Sequence, residues 1–147
     1  MRVKRALLAV MVVGAVALPG ASEKRIQKKD LPAAVASAVE VQTRGDTVKG
    51  YTKEVENGKT YYEAETLRNG HSRDLLFDAN GNVVEIEEAI DPSSAPEPVR
   101  AALAARGGKV VLLESVTKGT TVTYEAHVEK NGKRSEVTLD AAGKPVR

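Results

Sequence analysis

The chain has 147 residues, no cysteine, no tryptophan and a formal charge of +2. The absence of cysteine excludes disulfide staples, thiol catalysis, thiolate zinc sites and iron–sulfur clusters. One Phe and four Tyr leave few rings to stack on bases, and with so weak a charge nucleic acid is not an expected partner.

Arg2, Lys4 and Arg5 precede an apolar run from Ala6 to Leu18, with small residues at Ala15-Val16-Ala17 and Gly20-Ala21-Ser22. This is the pattern of a secretory signal peptide, taken as residues 1–22, and the run is too short to span a bilayer comfortably. Removing those three basic residues takes the charge from +2 to −1, so the basic character belongs to the leader. The mature chain is expected in the periplasm or the medium, with no membrane span after cleavage.

Residues 23–30, "EKRIQKKD", read as a mobile basic N-terminal arm. Leu31, Val35 and Val39 then recur every four residues, as do Val99 and Leu103, which predicts two short amphipathic helices. Asp30 or Leu31 caps the first. Ser94 with Glu97 has capping-box spacing for the second, which stops at Gly107-Gly108. Strands are predicted over 47–56, 60–67, 72–78 and 83–88, then 109–117, 121–129, 134–140 and 144–147. Asn57-Gly58, Asn69-Gly70 and Asn80-Gly81 supply turns between them. "DPSSAPEP", residues 91–98, has the composition of a linker.

The stretch "YEAETLRNGHSRDLLFDANGNVV" (62–84) is echoed by "YEAHVEKNGKRSEVTLDAAGKPV" (124–146). At a constant offset Tyr62/Tyr124, Glu63/Glu125, Ala64/Ala126, Asn69/Asn131, Gly70/Gly132, Asp78/Asp140, Ala79/Ala141, Gly81/Gly143 and Val84/Val146 are identical. The expected fold is therefore α+β, a tandem repeat of a short helix followed by a three- to four-stranded antiparallel sheet, over 31–90 and 95–147. Period-two alternation points Tyr62, Ala64, Leu75, Phe77 and Val84 inward, with Tyr124, Ala126, Val137, Leu139 and Val146. Glu63, Glu65, Asp74, Glu85 and Glu87 then point outward, with Glu125, His127, Glu129 and Glu136.

Tyr-Glu-Ala, a strand, Asn-Gly, a strand ending in Asp-Ala, and then Gly make both stretches resemble a PepSY-type domain. The most similar proteins of that kind are exported, beta-lactamase-inhibitor-like bacterial proteins. The resemblance implies a non-enzymatic protein of the envelope that regulates or inhibits a protease or another enzyme, binding it across an exposed sheet surface. Inhibitor surfaces are rich in aromatic anchors. Here the outward face has Tyr61, Leu67 and Leu76 among many carboxylates, so no inhibitory residues carry over.

No reaction chemistry is legible. "DANGNVVEIEE" places Gly81 fourth after Asp78, not sixth as a calcium loop requires, and reads as a turn. His71 lies in a turn, and both histidines read as surface residues. His127 with its neighbouring glutamates is the only transition-metal candidate, and no metal or cofactor is assigned. The serines lack a nucleophile motif and the carboxylates alternate along solvated strands, so the chain is expected not to be an enzyme. The candidate protein-binding face is Tyr61, Glu63, Glu65, Asp74, Leu76, Glu85 and Glu87, suited to an unidentified protein partner with basic groups. The alternatives are an envelope protein that binds a small ligand or metal ion, and a structural or stress protein of the envelope.

Overall fold

Three Asn-Gly pairs set the path of the strands. Asn57, Asn69 and Asn131 take φ of 51°, 52° and 52°, and Gly58, Gly70 and Gly132 follow at 76°, 82° and 71°. Two consecutive positive φ values make the tight turn whose twist matches a hairpin. The structure, a computed structural model, describes residues 21–146. The expected leader lies outside the described residues, save Ala21 and Ser22.

In chain order the elements are β1 (Ala21–Ile26), α1 (Ala33–Gln42), β2 (Thr47–Glu56), β3 (Lys59–Arg68), β4 (His71–Asp78), β5 (Val83–Ala89), α2 (Glu97–Arg106), β6 (Lys109–Lys118), β7 (Thr121–Lys130) and β8 (Lys133–Asp140). All eight strands form one antiparallel sheet in sequence order. The expected pair of helix-plus-sheet units, each with its own sheet, is not what forms. β5 pairs with β6 from Ile86↔Thr117 to Ala89↔Glu114, which satisfies backbone groups that two separate sheets would each leave open at an edge.

Both helices pack on the same face. Val35 and Val39 of α1 are buried with Tyr62, Ala64, Leu75 and Phe77. Val99 and Leu103 of α2 are buried with Leu113, Ala126, Val128, Val137 and Leu139. Leu75 pairs with Ile86 and Ile86 with Thr117, and Leu113 lies two strand periods from Thr117. Alternation thus carries one apolar face across the whole sheet.

Several local expectations change. Residues 23–30 are not a mobile arm: Ala21–Ile26 pair in register with Glu56–Tyr51 of β2. A short 3-10 turn, Lys28–Asp30, follows, in which the Gln27 N–H donates to Asp30 Oδ2 at 2.9 Å. Residues 91–98 join β5 to α2 with local order of their own. Asp91 accepts from the Ser93 backbone at 2.8 Å, Pro92–Ser94 form a 3-10 turn, and Ala95 is buried. Neither helix has the side-chain cap expected of it: Pro32 and Pro96 occupy the capping positions. In α2 a further proline, Pro98, sits in the first turn, where its missing N–H has no intrahelical partner to lose.

Val84 does not point inward. The β4–β5 register shifts between Leu76 and Phe77, so that Phe77 pairs with Val83 while Leu75 pairs with Ile86. One extra residue in β5 makes a bulge, and Val83 takes the place against the core. In the second half Pro145 bridges Leu139, so that over the described residues the expected strand 144–147 is an isolated bridge and Pro145, not Val146, stands opposite Leu139.

Candidate protein-binding face

With both helices on one side, the other side of the sheet is where strand side chains converge without a covering helix among the described residues. On β3 this face carries Tyr61, Glu63 and Glu65, and on β4 Asp74 and Leu76. Glu63 pairs with Leu76 and Glu65 with Asp74. On β5 Glu85 pairs with Leu76 and Glu87 with Asp74. The register thus brings all seven sequence-derived residues to one face, in two rows of carboxylates with Leu76 between Glu63 and Glu85.

The face extends further than the sequence showed. Thr52 of β2 and Arg25 of β1 continue the row of Glu63, and the Arg25 guanidinium pairs with Glu65. On the other side Val116 pairs with Glu87, and Glu114 pairs with Glu125. Lys118 Nζ reaches Glu85 Oε2 at 2.5 Å. Glu114 was missed because "VVLLES" in β6 shows no alternation, so its face is set only by its partners across the ladder.

These carboxylates are not freely solvated. Glu85, Glu87 and Glu114 are 5%, 9% and 2% exposed, and Leu76 is buried among them. Desolvation comes first among the causes that push Glu63 up to about 8, followed by the charges of Glu54, Asp74, Glu65 and Glu23. Burial also raises Asp74 to about 6, against a backbone hydrogen bond from Thr66 that lowers it and with Glu65 adding to the rise. Glu114 rises to about 7 through burial and the nearby Glu125, Asp74 and Glu136. Glu87 is raised furthest, by burial and by a hydrogen bond and charge from Glu85. A row of carboxylates at cross-strand spacing repels itself unless protons or cations intervene.

Other sequence candidates resolve as structure. The Asp78 carboxylate accepts the backbone N–H groups of Asn80 and Asn82, both at 2.9 Å, which makes its loop the turn expected. Two shallow depressions lie away from the carboxylate rows. One is lined by Tyr61, Asp78 and Val84. The other lies under α2, between Pro92, Leu103 and Val110.

Solved structures of similar fold exist. A protein of Bacteroides eggerthii assigned to the periplasm superposes with a TM-score of 0.67 at 19% identity, covering 80% of this chain and 86% of that one. A BLIP-like protein from Bacteroides fragilis gives 0.61 at 19% identity, covering 80% and 84%. A DUF2874 family protein from Bacteroides uniformis gives 0.65 at 22% identity, covering 79% and 86%. No protein-family model and no curated protein matches the sequence. The chain therefore has the fold of these BLIP-like and DUF2874 proteins. No helix among the described residues is long and apolar enough to cross a membrane.

Proposed function

We propose that this chain is an exported, non-enzymatic binding protein of the bacterial envelope, and that its open sheet face receives a cationic segment of a protein partner. The observation that carries the reading is the double row of carboxylates on the face opposite both helices, with Glu63, Glu65 and Asp74 half-buried and Glu85 and Glu87 buried. Placing Lys or Arg side chains against such a row relieves its self-repulsion and lets the raised carboxyls ionise, so attraction and deprotonation reinforce one another. Leu76, itself buried, keeps water from between the carboxylates at the centre of the patch.

Support comes from three sides. The leader-like start of the sequence directs export, and the structural neighbours include a protein assigned to the periplasm and one described as BLIP-like. The likeness of residues 62–84 to PepSY-type domains favours a regulatory interaction, of which inhibition of an enzyme is the narrower form.

The test is affinity capture from an envelope extract, with Glu63→Lys/Glu65→Lys as control bait. A stoichiometric partner retained at low salt, weakened by salt and lost with the control supports the reading. Capture that is indifferent to both salt and charge reversal removes it.

A further inference from the structure

We propose that Glu114, Glu125 and His127 form a binding site for one divalent transition-metal ion, zinc being the best fit. This inference does not depend on the partner reading above: the site adjoins the same face, on β6 and β7, but its ligand is a metal ion that can be titrated alone.

The geometry starts from the ladder. Glu125 and His127 are two residues apart on β7, so alternation puts them on one face. Glu114 on β6 is the direct cross-strand partner of Glu125. One ligand atom from each of the three lies within 4.8 Å of the other two. His127 Nε2 and Glu125 Oε1 are 3.4 Å apart. Bonds of about 2.0–2.1 Å in a tetrahedral site put neighbouring ligand atoms about 3.4 Å apart, so this pair already stands at the edge length an ion requires. The two edges to Glu114 lie within 4.8 Å, a gap that side-chain rotation of Glu114 would close on binding.

An independent observation points the same way. Glu114 is only 2% exposed, and its Oε2 is buried without a hydrogen-bond partner. Glu125 Oε1 and His127 Nε2 are likewise buried and have only each other, at the long distance of 3.4 Å, with no further partner to satisfy them. Three orphaned polar atoms converging on one point are costly unless something satisfies them together. Two like-charged glutamates directly opposite on a ladder add to that cost, and a dication placed between them reverses its sign. Glu136, the cross-strand partner of His127, is exposed and adds further negative charge at the rim.

The donor set selects the ion. One imidazole nitrogen and two carboxylate oxygens match borderline divalent ions, whereas calcium and magnesium prefer oxygen alone. Three protein ligands leave a fourth position for water or for a group of a ligand.

The experiment is a titration of the purified, metal-stripped protein with zinc by calorimetry, with cobalt as a spectroscopic probe. The expected result is a single site per chain, a visible cobalt spectrum of low coordination number, and no displacement by excess calcium. His127→Gln and Glu114→Gln should each weaken zinc at least tenfold, while His71→Gln leaves it unchanged. NMR of the unaltered protein covers the case in which a variant misfolds. The chain has two histidines, and zinc should shift the ring nitrogens of His127 and not those of His71. No binding, displacement by calcium, or a His127 ring unmoved at saturating zinc would each overturn the site.

Discussion

A β-carbon on Gly81 would stand 2.6 Å from the carbonyl oxygen of Ala34, the second residue of α1. Gly143 meets the carbonyl oxygen of Pro98, the second residue of α2, at 2.3 Å in the same way. Both glycines have positive φ, 84° and 75°. The turn after β4 and the turn after β8 thus each press bare backbone against the start of a helix, and this fixes how close helix and sheet approach.

Gly81→Ala and Gly143→Ala should therefore each destabilise the protein by about 2–4 kcal/mol, combining left-handed strain with a clash that backbone cannot relieve. Gly58 and Gly70 also have positive φ but open space around them, so alanine there should cost only about 1 kcal/mol. Urea unfolding of the four variants separates the two cases. Equal losses at all four positions would mean that the approach to the helix carries no energy.

The Asp46 carboxylate makes the second prediction. It accepts Arg68 Nε at 2.6 Å and Arg73 Nη1 at 3.0 Å, and its side chain is 1% exposed. Arg73 points to the helix side of the sheet and also donates to the Gln42 carbonyl at 3.3 Å, at the last residue of α1. A cation there complements the helix C-terminus. Asp46→Ala leaves a buried guanidinium unpaired and should cost roughly 3–5 kcal/mol. Asp46→Ala/Arg73→Met should recover part of that loss, measured in a double-mutant cycle. A double variant no more stable than Asp46→Ala would refute the pairing.

How much of this was legible in the sequence depends on the range of the interaction. Helix faces and hairpins rest on residues within a turn of each other, so Val35, Val39, Val99 and Leu103 and the Asn57-Gly58 and Asn69-Gly70 turns announced themselves, whereas at Asn80-Gly81 only the glycine takes positive φ. The pairing of β5 with β6 does not work that way. Nothing local in "VVEIEEA" tells whether its outer edge meets water or another strand, so two units were expected where one sheet forms. The bulge that exchanges Val83 for Val84 is equally silent, since both are valine. The candidate face was found because alternation is local, but its desolvation was not. Glu63 looked like solvated surface until its cross-strand neighbours were known. Arg73 did carry a signal, an arginine in step with Leu75 and Phe77, yet its partner Asp46 lies 27 residues away.

Pairing of β1 with β2 leads to a third prediction. A chain beginning at Gln27 would lose the six residue pairs of β1 and expose the edge of β2. It would also lose Ile26 from the periphery of the α1 core. The expected result is a loss of about 1–2 kcal/mol from the missing apolar contact, together with self-association through the bare edge. Light scattering after size-exclusion chromatography checks this. A monodisperse monomer of full stability would show β1 to be dispensable.

The raised carboxyls set the fourth prediction, the pH dependence of stability. A group whose folded-state pKa exceeds its unfolded value binds more protons when folded, so its contribution is fully present below the unfolded pKa and is lost as pH rises through the folded one. For Glu63 that window runs from 4.5 to about 8, for Asp74 from 3.8 to about 6, and for Glu114 from 4.5 to about 7. Asp46 acts in the opposite direction. Burial alone would raise it, but the hydrogen bonds and charges of Arg68 and Arg73 prevail and hold it below 3.8. Its stabilisation is present above that value and is lost as pH falls through its depressed pKa. Stability should therefore peak near pH 4–5 and decline towards pH 8, unlike proteins whose carboxylates are mostly paired. Glu63→Gln mimics the protonated form, so it should flatten the decline and raise the melting temperature at pH 8 while changing little at pH 4. Thermal melts of both proteins across pH 3–9 in metal-free buffer decide the matter. Parallel profiles would show that Glu63 is ordinary solvated surface.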